Sequence, residues 1–335
     1  MLLTFGETLL RLTPASKYER LATASELRMG FAGAESNTAA ALARFGHCVH
    51  HVTAFPDNLL GDAAINCLLH AGIQTDYVTR AGSRVGVYFI ETGASLRPSR
   101  IVYDRAHSSF SEIDENSFDW EKIFDKKKWF HISGITPALS PACNKVALLA
   151  VKKAKQAGVP VSFDFNFRRT LWKDKDQAAE SFDRLLQHTD YVFANEGAVK
   201  DVFDIGAFDG QDHAENARQA IGALQARYPL KGVAFTLREH SSASFNKWSA
   251  LSCMDGQFYY SPVYDIEVIE RLGGGDTFGA GMIHGIVSGW DPGKALAFAT
   301  AASALKHTIP GDMGYLSEKE VFPVMEGNTQ GRIER

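Results

Sequence analysis

The sequence predicts an α/β protein: a mostly parallel central sheet flanked by helices, with a small β-sheet set into it. Three observations carry this. Short β-rich runs alternate with helical runs along most of the 335 residues, the pattern of parallel strands joined by helical crossovers. The alternation fails once, between Val85 and Asp104, where two β-like runs follow each other with no helical period between them. Near the end, a glycine-rich turn joins a β run to an apolar helical run.

Taken in order, residues 1–5 form the first strand. Residues 35–45 form an Ala-rich helix closed by Gly46. A strand at 50–55 and a helix at 61–71, closed by Gly72, come next. A strand at 129–133, a helix at 141–157 stopped by Gly158, and a strand at 159–165 continue the rhythm. Strands at 191–194 and 233–237 bracket a helix near 214–227. The break consists of β-like runs at 85–90 and 100–104, and the irregular stretch 9–27 is expected to join the same unit. This gives one domain over 1–325, with lid segments at about 9–30 and 84–112, and a polar tail over 326–335. A β element projecting from an α/β core is placed to cover a ligand cleft. A surface hairpin without a role fits the same pattern.

Composition narrows the function. Lys and Arg total 35, Asp and Glu 39, for a net charge of −4. That argues against a nucleic-acid binder held by bulk charge, while leaving room for a local basic pocket. No apolar run reaches the ~18 residues of a membrane span, and the first residues lack the basic and apolar regions of a signal peptide. A cytoplasmic protein with no membrane partner is expected. Cys48, Cys67, Cys143 and Cys253 form no CxxC pair, so neither a structural zinc site nor a disulfide framework is expected. His47, Cys48, His50 and His51 lie close together, but alternation along a strand sends His50 and His51 to opposite faces.

The strongest local signal is Gly273-Gly274-Gly275-Asp276, after a β run at 263–269 and before an apolar helical run at 278–287. Adjacent glycines let backbone amides approach a ligand, and a helix start adds positive potential. The turn is not a dinucleotide fingerprint, since Phe278 stands where a glycine is needed. It is not a Walker A loop, since it has no lysine. Asp276, near the N-cap, can take a proton from an attacking hydroxyl while the amides hold a phosphoryl group. It can also be a cap and nothing more.

The turn resembles the GAGD signature of the ribokinase-like (PfkB) family of ATP-dependent sugar kinases. Ala32-Gly33-Ala34-Glu35-Ser36-Asn37 is similar to that family's sugar-binding GGAE-x-N element, and Asp57-Asn58-Leu59-Leu60-Gly61-Asp62 to its D-x-x-G-D segment. The resemblance runs over nearly the whole chain, about residues 3–316. Within the family, Gly6 to Leu12, Tyr103-Asp104-Arg105-Ala106-His107-Ser108, Ser133-Gly134-Ile135-Thr136-Pro137, Phe165-Asn166-Phe167-Arg168 and Leu305 to Asp312 resemble the kinases of 2-keto-3-deoxygluconate.

The resemblance implies a ribokinase-like fold with a small β-sheet lid, and phosphorylation of that sugar acid at its 6-hydroxyl, with ADP as the other product. It implies Asp276 as general base, with Gly273, Gly274 and Gly275 as the anion hole. It places Gly33, Ala34, Asn37, Tyr88, Tyr103, Arg105 and Arg168 with Asp276 at the sugar acid. It places Asn195, Thr236 and Arg238, with Gly273 and Gly275, at ATP. An acidic substrate needs cations, and guanidinium groups can hold a carboxylate through paired hydrogen bonds. Mg²⁺ is expected with ATP, held mostly by phosphates and water, and no residue is assigned to it. Asp276 beside a helix terminus is expected to be a weak base.

Some positions depart from the family pattern. Ala32 replaces the first glycine of the sugar-binding pair, and Gly274 the alanine of the turn. The N-x-x-E element reads Asn195-Glu196-Gly197-Ala198, which lacks the usual acid, although Glu196 is close. Glu270 replaces an aspartate, and Arg238-Glu239-His240 a glycine-rich nucleotide turn. A kinase of a neutral ketose such as fructose, and a non-catalytic sugar-acid sensor of the same fold, stay open beside the main reading. A homo-oligomer formed through the β lid is expected from the resemblance.

Overall fold

The chain opens with β1 (Leu2–Phe5), which becomes an interior strand of the main sheet. It runs out through β2 (Leu9–Pro14) and β3 (Leu27–Ala32), and returns as α1 (Ala34–Arg44), β4 (Val49–Phe55), α2 (Leu59–His70) and β5 (Val78–Arg80). A second excursion forms β6 (Val87–Glu91) and β7 (Arg100–Asp104). Then come α3 (Trp120–Phe124), β8 (Trp129–Ser133), α4 (Pro141–Gln156), β9 (Val161–Asp164), α5 (Lys175–Leu186), β10 (Tyr191–Ala194), α6 (Glu196–Phe203) and α7 (His213–Arg227). The last third holds β11 (Gly232–His240), β12 (Phe245–Met254), β13 (Gln257–Tyr260), β14 (Tyr264–Glu267), α8 (Gly274–Val287), α9 (Pro292–Lys306) and α10 (Glu318–Met325). The computed structural model describes residues 1–205, 212–240, 242–329 and 331. Of the expected tail, residues 330 and 332–335 lie outside the described residues.

Among the described residues, seven strands pair in parallel in the order β11-β10-β9-β8-β1-β4-β5. The chain leaves β1 in one direction and later resumes at β8 on its other side. Such a reversal opens a crevice at the strands' carboxyl ends. β12 adds antiparallel to β11, and β13 and β14 pair with β12. Side chains alternate across the sheet as period two requires. Leu3, Phe5, Phe130 and Ile132 pack with α4, α5 and α7. Leu2, Val49 and Trp129 pack on the face of α1, α2, α8 and α9. None of the described helices is long and apolar enough to cross a membrane.

β3, β2, β6 and β7 form a separate four-stranded sheet in that order. It ends at Asp104. The following segment turns back onto the main body, where Phe110 and Ile113 join the core. The register fixes what each face carries. One row across the strands reads Gly30, Arg11, Tyr88 and Tyr103, and the next reads Met29, Leu12, Phe89 and Val102. The first row turns toward the main sheet. The second is apolar throughout, with Met29 60% and Val102 57% exposed. At its tip, Ser95 bonds through its carbonyl to the Ala243 amide at 3.0 Å and through its amide to the Ser244 hydroxyl at 3.1 Å. The small sheet therefore reaches across the carboxyl edge of the large one.

His50 and His51 do face opposite ways. The Thr4 and Thr8 hydroxyls flank the ring nitrogens of His51 at 2.8 and 3.1 Å, while His50 pairs with Asp76. In the core beneath α5, the fully buried Phe182 meets Phe163, Phe165 and Trp172 edge-on, with ring centroids 5.0, 5.3 and 5.8 Å away. Phe182→Ala is expected to cost about 3–5 kcal/mol of folding stability through the cavity it leaves, measured by urea unfolding.

Candidate active site

A cleft of about 550 Å³ follows the carboxyl edge of the main sheet. At the small-sheet end it is lined by Gly33, Ala34, Asn37, Tyr88, Tyr103, Arg105 and Arg168. At the β10–β11 end it is lined by Asn195, Thr236 and Arg238. Gly273, Gly275 and Asp276 lie on the same wall system. These residues come from seven separate stretches of chain and converge on one hollow.

The glycine turn is built by sterics. Gly273 is the N-cap of α8, with φ 81°. A side chain there would be strained and would also overlap the Asp312 carbonyl. The amides that follow have no acceptor within the helix, and their dipoles favour an anion. Gly275 opens onto free space. Gly274 does not line the cleft. It backs onto His307, whose ring fills the room a methyl group would need, and its carbonyl accepts the Ser303 hydroxyl at 2.8 Å. Of the three glycines expected to form an anion hole, Gly273 and Gly275 line the cleft.

Asp276 is the third residue of α8, and its side chain caps nothing. Its Oδ2 accepts a hydrogen bond from Asn37 Nδ2 at 2.7 Å, and its own carbonyl accepts the Thr38 hydroxyl at 3.3 Å. It is 8% exposed. Burial, then the charge of Asp164, push its pKa up to about 8 against the pull of Asn37. This corrects the expectation of a weak base: loss of hydration outweighs the helix terminus. Asp164 ends β9 and accepts the Asn166 amide at 3.0 Å, and burial raises it to about 7. Glu35, fully buried, takes the Ser133 amide and the Ser133 and Thr136 hydroxyls at 2.8–2.9 Å. It ties α1 to the end of β8.

A family model described as pfkB family carbohydrate kinase matches residues 1–318. The chain belongs to the PfkB family. It is therefore a sugar kinase with the ribokinase-like fold, in a family that uses ATP. A 2-dehydro-3-deoxygalactonokinase of Haloferax volcanii is 31% identical over 332 residues, 98% of each chain. A crystal structure of 2-dehydro-3-deoxygluconokinase from Thermotoga maritima is 42% identical, with a TM-score of 0.94 over 97% of this chain and 99% of that one. A 5-dehydro-2-deoxygluconokinase of Clostridium perfringens is 24% identical over 98% of this chain and 94% of its own length.

In this PfkB kinase the two arginines expected at the sugar acid differ. Arg105 is already paired, with Glu7. Its Nε donates to Glu7 Oε2 at 2.8 Å and its Nη2 to the same oxygen, while Ser108 donates to Glu7 Oε1. Glu7 is buried, so the Arg105 charge is neutralised locally. The Arg168 guanidinium makes no hydrogen bond or ion pair among the described residues, and its charge acts to lower the pKa values of both Asp164 and Asp276. The Tyr88 hydroxyl donates to Asp312 at 2.8 Å, leaving its ring beside Tyr103 at 5.9 Å. Asn195 spends its side-chain oxygen capping α6, on the Ala198 amide at 2.9 Å. Burial and Arg271 lower Arg238 to about 10.

Sequence reading passed over Glu7, Arg11, Asp164 and Asp312. Glu7, Arg11 and Asp312 lie in segments that resembled relatives, and Asp164 lies directly before one, but nothing local marks their partners. Arg11 bonds Glu270 at 2.6 Å and Asp312 at 2.5 Å, joining the small sheet to the base of the glycine turn.

Two outcomes follow for pH. A base held near 8 makes kcat/KM rise up to that pH, since this ratio reports the free enzyme. Asp164→Asn removes a like charge and shifts the limb to lower pH. Glu35, Asp164, Asp276 and Asp312 are all raised. The folded state therefore holds extra protons between about pH 4 and 8, and stability falls as pH rises through that window. Asp276→Asn escapes its share and is expected to melt a few degrees higher at pH 8, measured by differential scanning calorimetry.

Proposed function

We propose that this kinase transfers the γ-phosphoryl group of ATP to the 6-hydroxyl of 2-keto-3-deoxygluconate. The observation that carries the reading is an unpaired guanidinium, Arg168, in the same cleft as a buried carboxylate, Asp276, at a glycine turn. The first suits a substrate carboxylate and the second a substrate hydroxyl. The names of the Thermotoga maritima and Haloferax volcanii relatives, both 2-dehydro-3-deoxy sugar kinases, support it.

In this mechanism Arg168 holds the sugar-acid carboxylate through two parallel N–H donors. Arg105, oriented by Glu7, offers its remaining donors to the polar end of the sugar. Tyr88 and Tyr103 pack against it, while Gly33, Ala34 and Asn37 close the opposite wall. That grip sets the distance from the 6-hydroxyl to the phosphate. The hydroxyl oxygen bonds to the γ-phosphorus, the bond to the β–γ bridging oxygen breaks, and ADP leaves with that electron pair. Asp276 Oδ takes the hydroxyl proton, late in a loose transition state. Amides of the Gly273 turn face the moving charge. The small sheet acts as a lid that excludes water.

Asn195, Thr236 and Arg238 are assigned to the nucleotide. Magnesium bound with ATP offsets phosphate charge. The residues present fit it: Glu196 Oε1 pairs with His213 at 2.6 Å, while Glu196 Oε2 is buried in the cleft wall with no hydrogen-bond partner among the described residues. That oxygen can accept from the ion's water shell, in place of the acid missing at Ala198. The apolar outer row of the small sheet is assigned to pairing with a second copy of the chain.

A coupled ADP-release assay over 2-keto-3-deoxygluconate, its C4 epimer, 5-keto-2-deoxygluconate and fructose tests the substrate. Activity confined to fructose would replace this reading with the ketose one. Asp276→Asn is expected to lower kcat by about 10²–10⁴ while calorimetric binding of the sugar acid persists. Arg168→Ala is expected to raise KM for the acid by about tenfold or more, with little change for any neutral ketose used.

A further inference from the structure

Lys306, the last residue of α9, has no exposure to solvent. Its ammonium donates one hydrogen bond, to the Ile309 carbonyl at 3.2 Å, and among the described residues it touches no carboxylate directly. A buried ammonium so sparsely partnered is costly. Burial drives its pKa down to about 8, held up by Glu270, Asp312 and Asp276. Fold stability alone gives no reason to keep it, since an apolar side chain of that length would pack there at lower cost.

Its position supplies a reason. The stem passes directly beneath the glycine turn: Cε lies 3.1 Å from where a side chain on Gly273 would begin, and Cδ 3.2 Å from the same point on Gly314. Beside it, Arg11 is bonded to Glu270 and Asp312. Lys306, Arg11, Glu270 and Asp312 therefore make a quartet of two cations and two carboxylates without net charge. Lys306 does not line the cleft, whereas Gly273 and Asp312 do.

We infer that Lys306 is a positioning residue for phosphoryl transfer: its ammonium is a fixed counter-charge behind the glycine turn, cancelling the Glu270 and Asp312 pair and holding the 309–314 loop against Gly273. Without it the quartet carries a net negative charge immediately behind the amides that meet an anionic group. Field from a buried charge at that range is weakly screened. The inference rests on the phosphoryl-transfer reading above.

The test compares Lys306→Met, which keeps the volume of the stem, with Lys306→Ala, which leaves a hollow beside the Ile309 carbonyl and the two acids. Both are expected to lose kcat by about tenfold or more, with KM for the sugar acid within about threefold. In Lys306→Ala, potassium or ammonium chloride at about 100 mM is expected to restore several-fold of the lost kcat, while tetramethylammonium chloride of equal ionic strength does not. Lys306→Met, with no hollow, is expected to ignore the cation. Either variant keeping kcat within twofold of the parent overturns the inference. So does a Lys306→Ala enzyme indifferent to every small cation, or failure of both variants to fold by thermal melting. A parent enzyme that releases no ADP from any sugar would instead defeat the reading on which the inference rests.

Discussion

The hydrogen bond from Asn37 to Asp276 spans 239 residues of sequence and is the contact on which the site depends. It joins the first turns of α1 and α8, two helices packed on the same face of the sheet. The helix starts place the amides, and the amide of Asn37 orients the carboxylate. Neither helix could shift along the other without breaking this bond. Burial makes the same carboxylate a stronger base than a free aspartate. One packing arrangement thus sets both the aim and the basicity of the group assigned to catalysis.

A second set of contacts holds the small sheet to this centre. Arg11 and Tyr88 stand side by side on adjacent strands, and both end on Asp312. Arg11 also ends on Glu270, whose carboxylate accepts the Leu272 amide at 3.3 Å just ahead of the turn. The small sheet is therefore braced against the residues at the base of the glycine turn. Its tip adds a further brace through Ser95 to the 243–244 loop, which Arg271 also grips at 2.9 Å.

Much of this was legible in the chain because the informative signals were local. Strands at Trp129–Ser133, Tyr191–Ala194 and Arg100–Asp104 read to the residue, since turn formers bound them closely. The glycine turn and its aspartate were legible because their spacing is itself the signal. α9 was not read as a helix: nearly every face of it is buried, so no polar stripe marks its period. β12 runs from half-buried to fully buried along its length, which erases the alternation a strand reading needs. The state of Arg105 was illegible for a different reason. Its partner Glu7 lies 98 residues away, and only the fold brings a neutralising charge to it. The basicity of Asp276 likewise depends on Asp164, carried there by a separate strand.

The alternating register of the small sheet has a mechanical outcome. Arg11 and Tyr88 point inward from the same two strands whose next residues, Leu12 and Phe89, point outward. The ribbon is one residue thick, so its back and its front share a backbone. A single layer of peptide bonds thus separates the apolar exterior strip from the groups that grip Asp312 beneath.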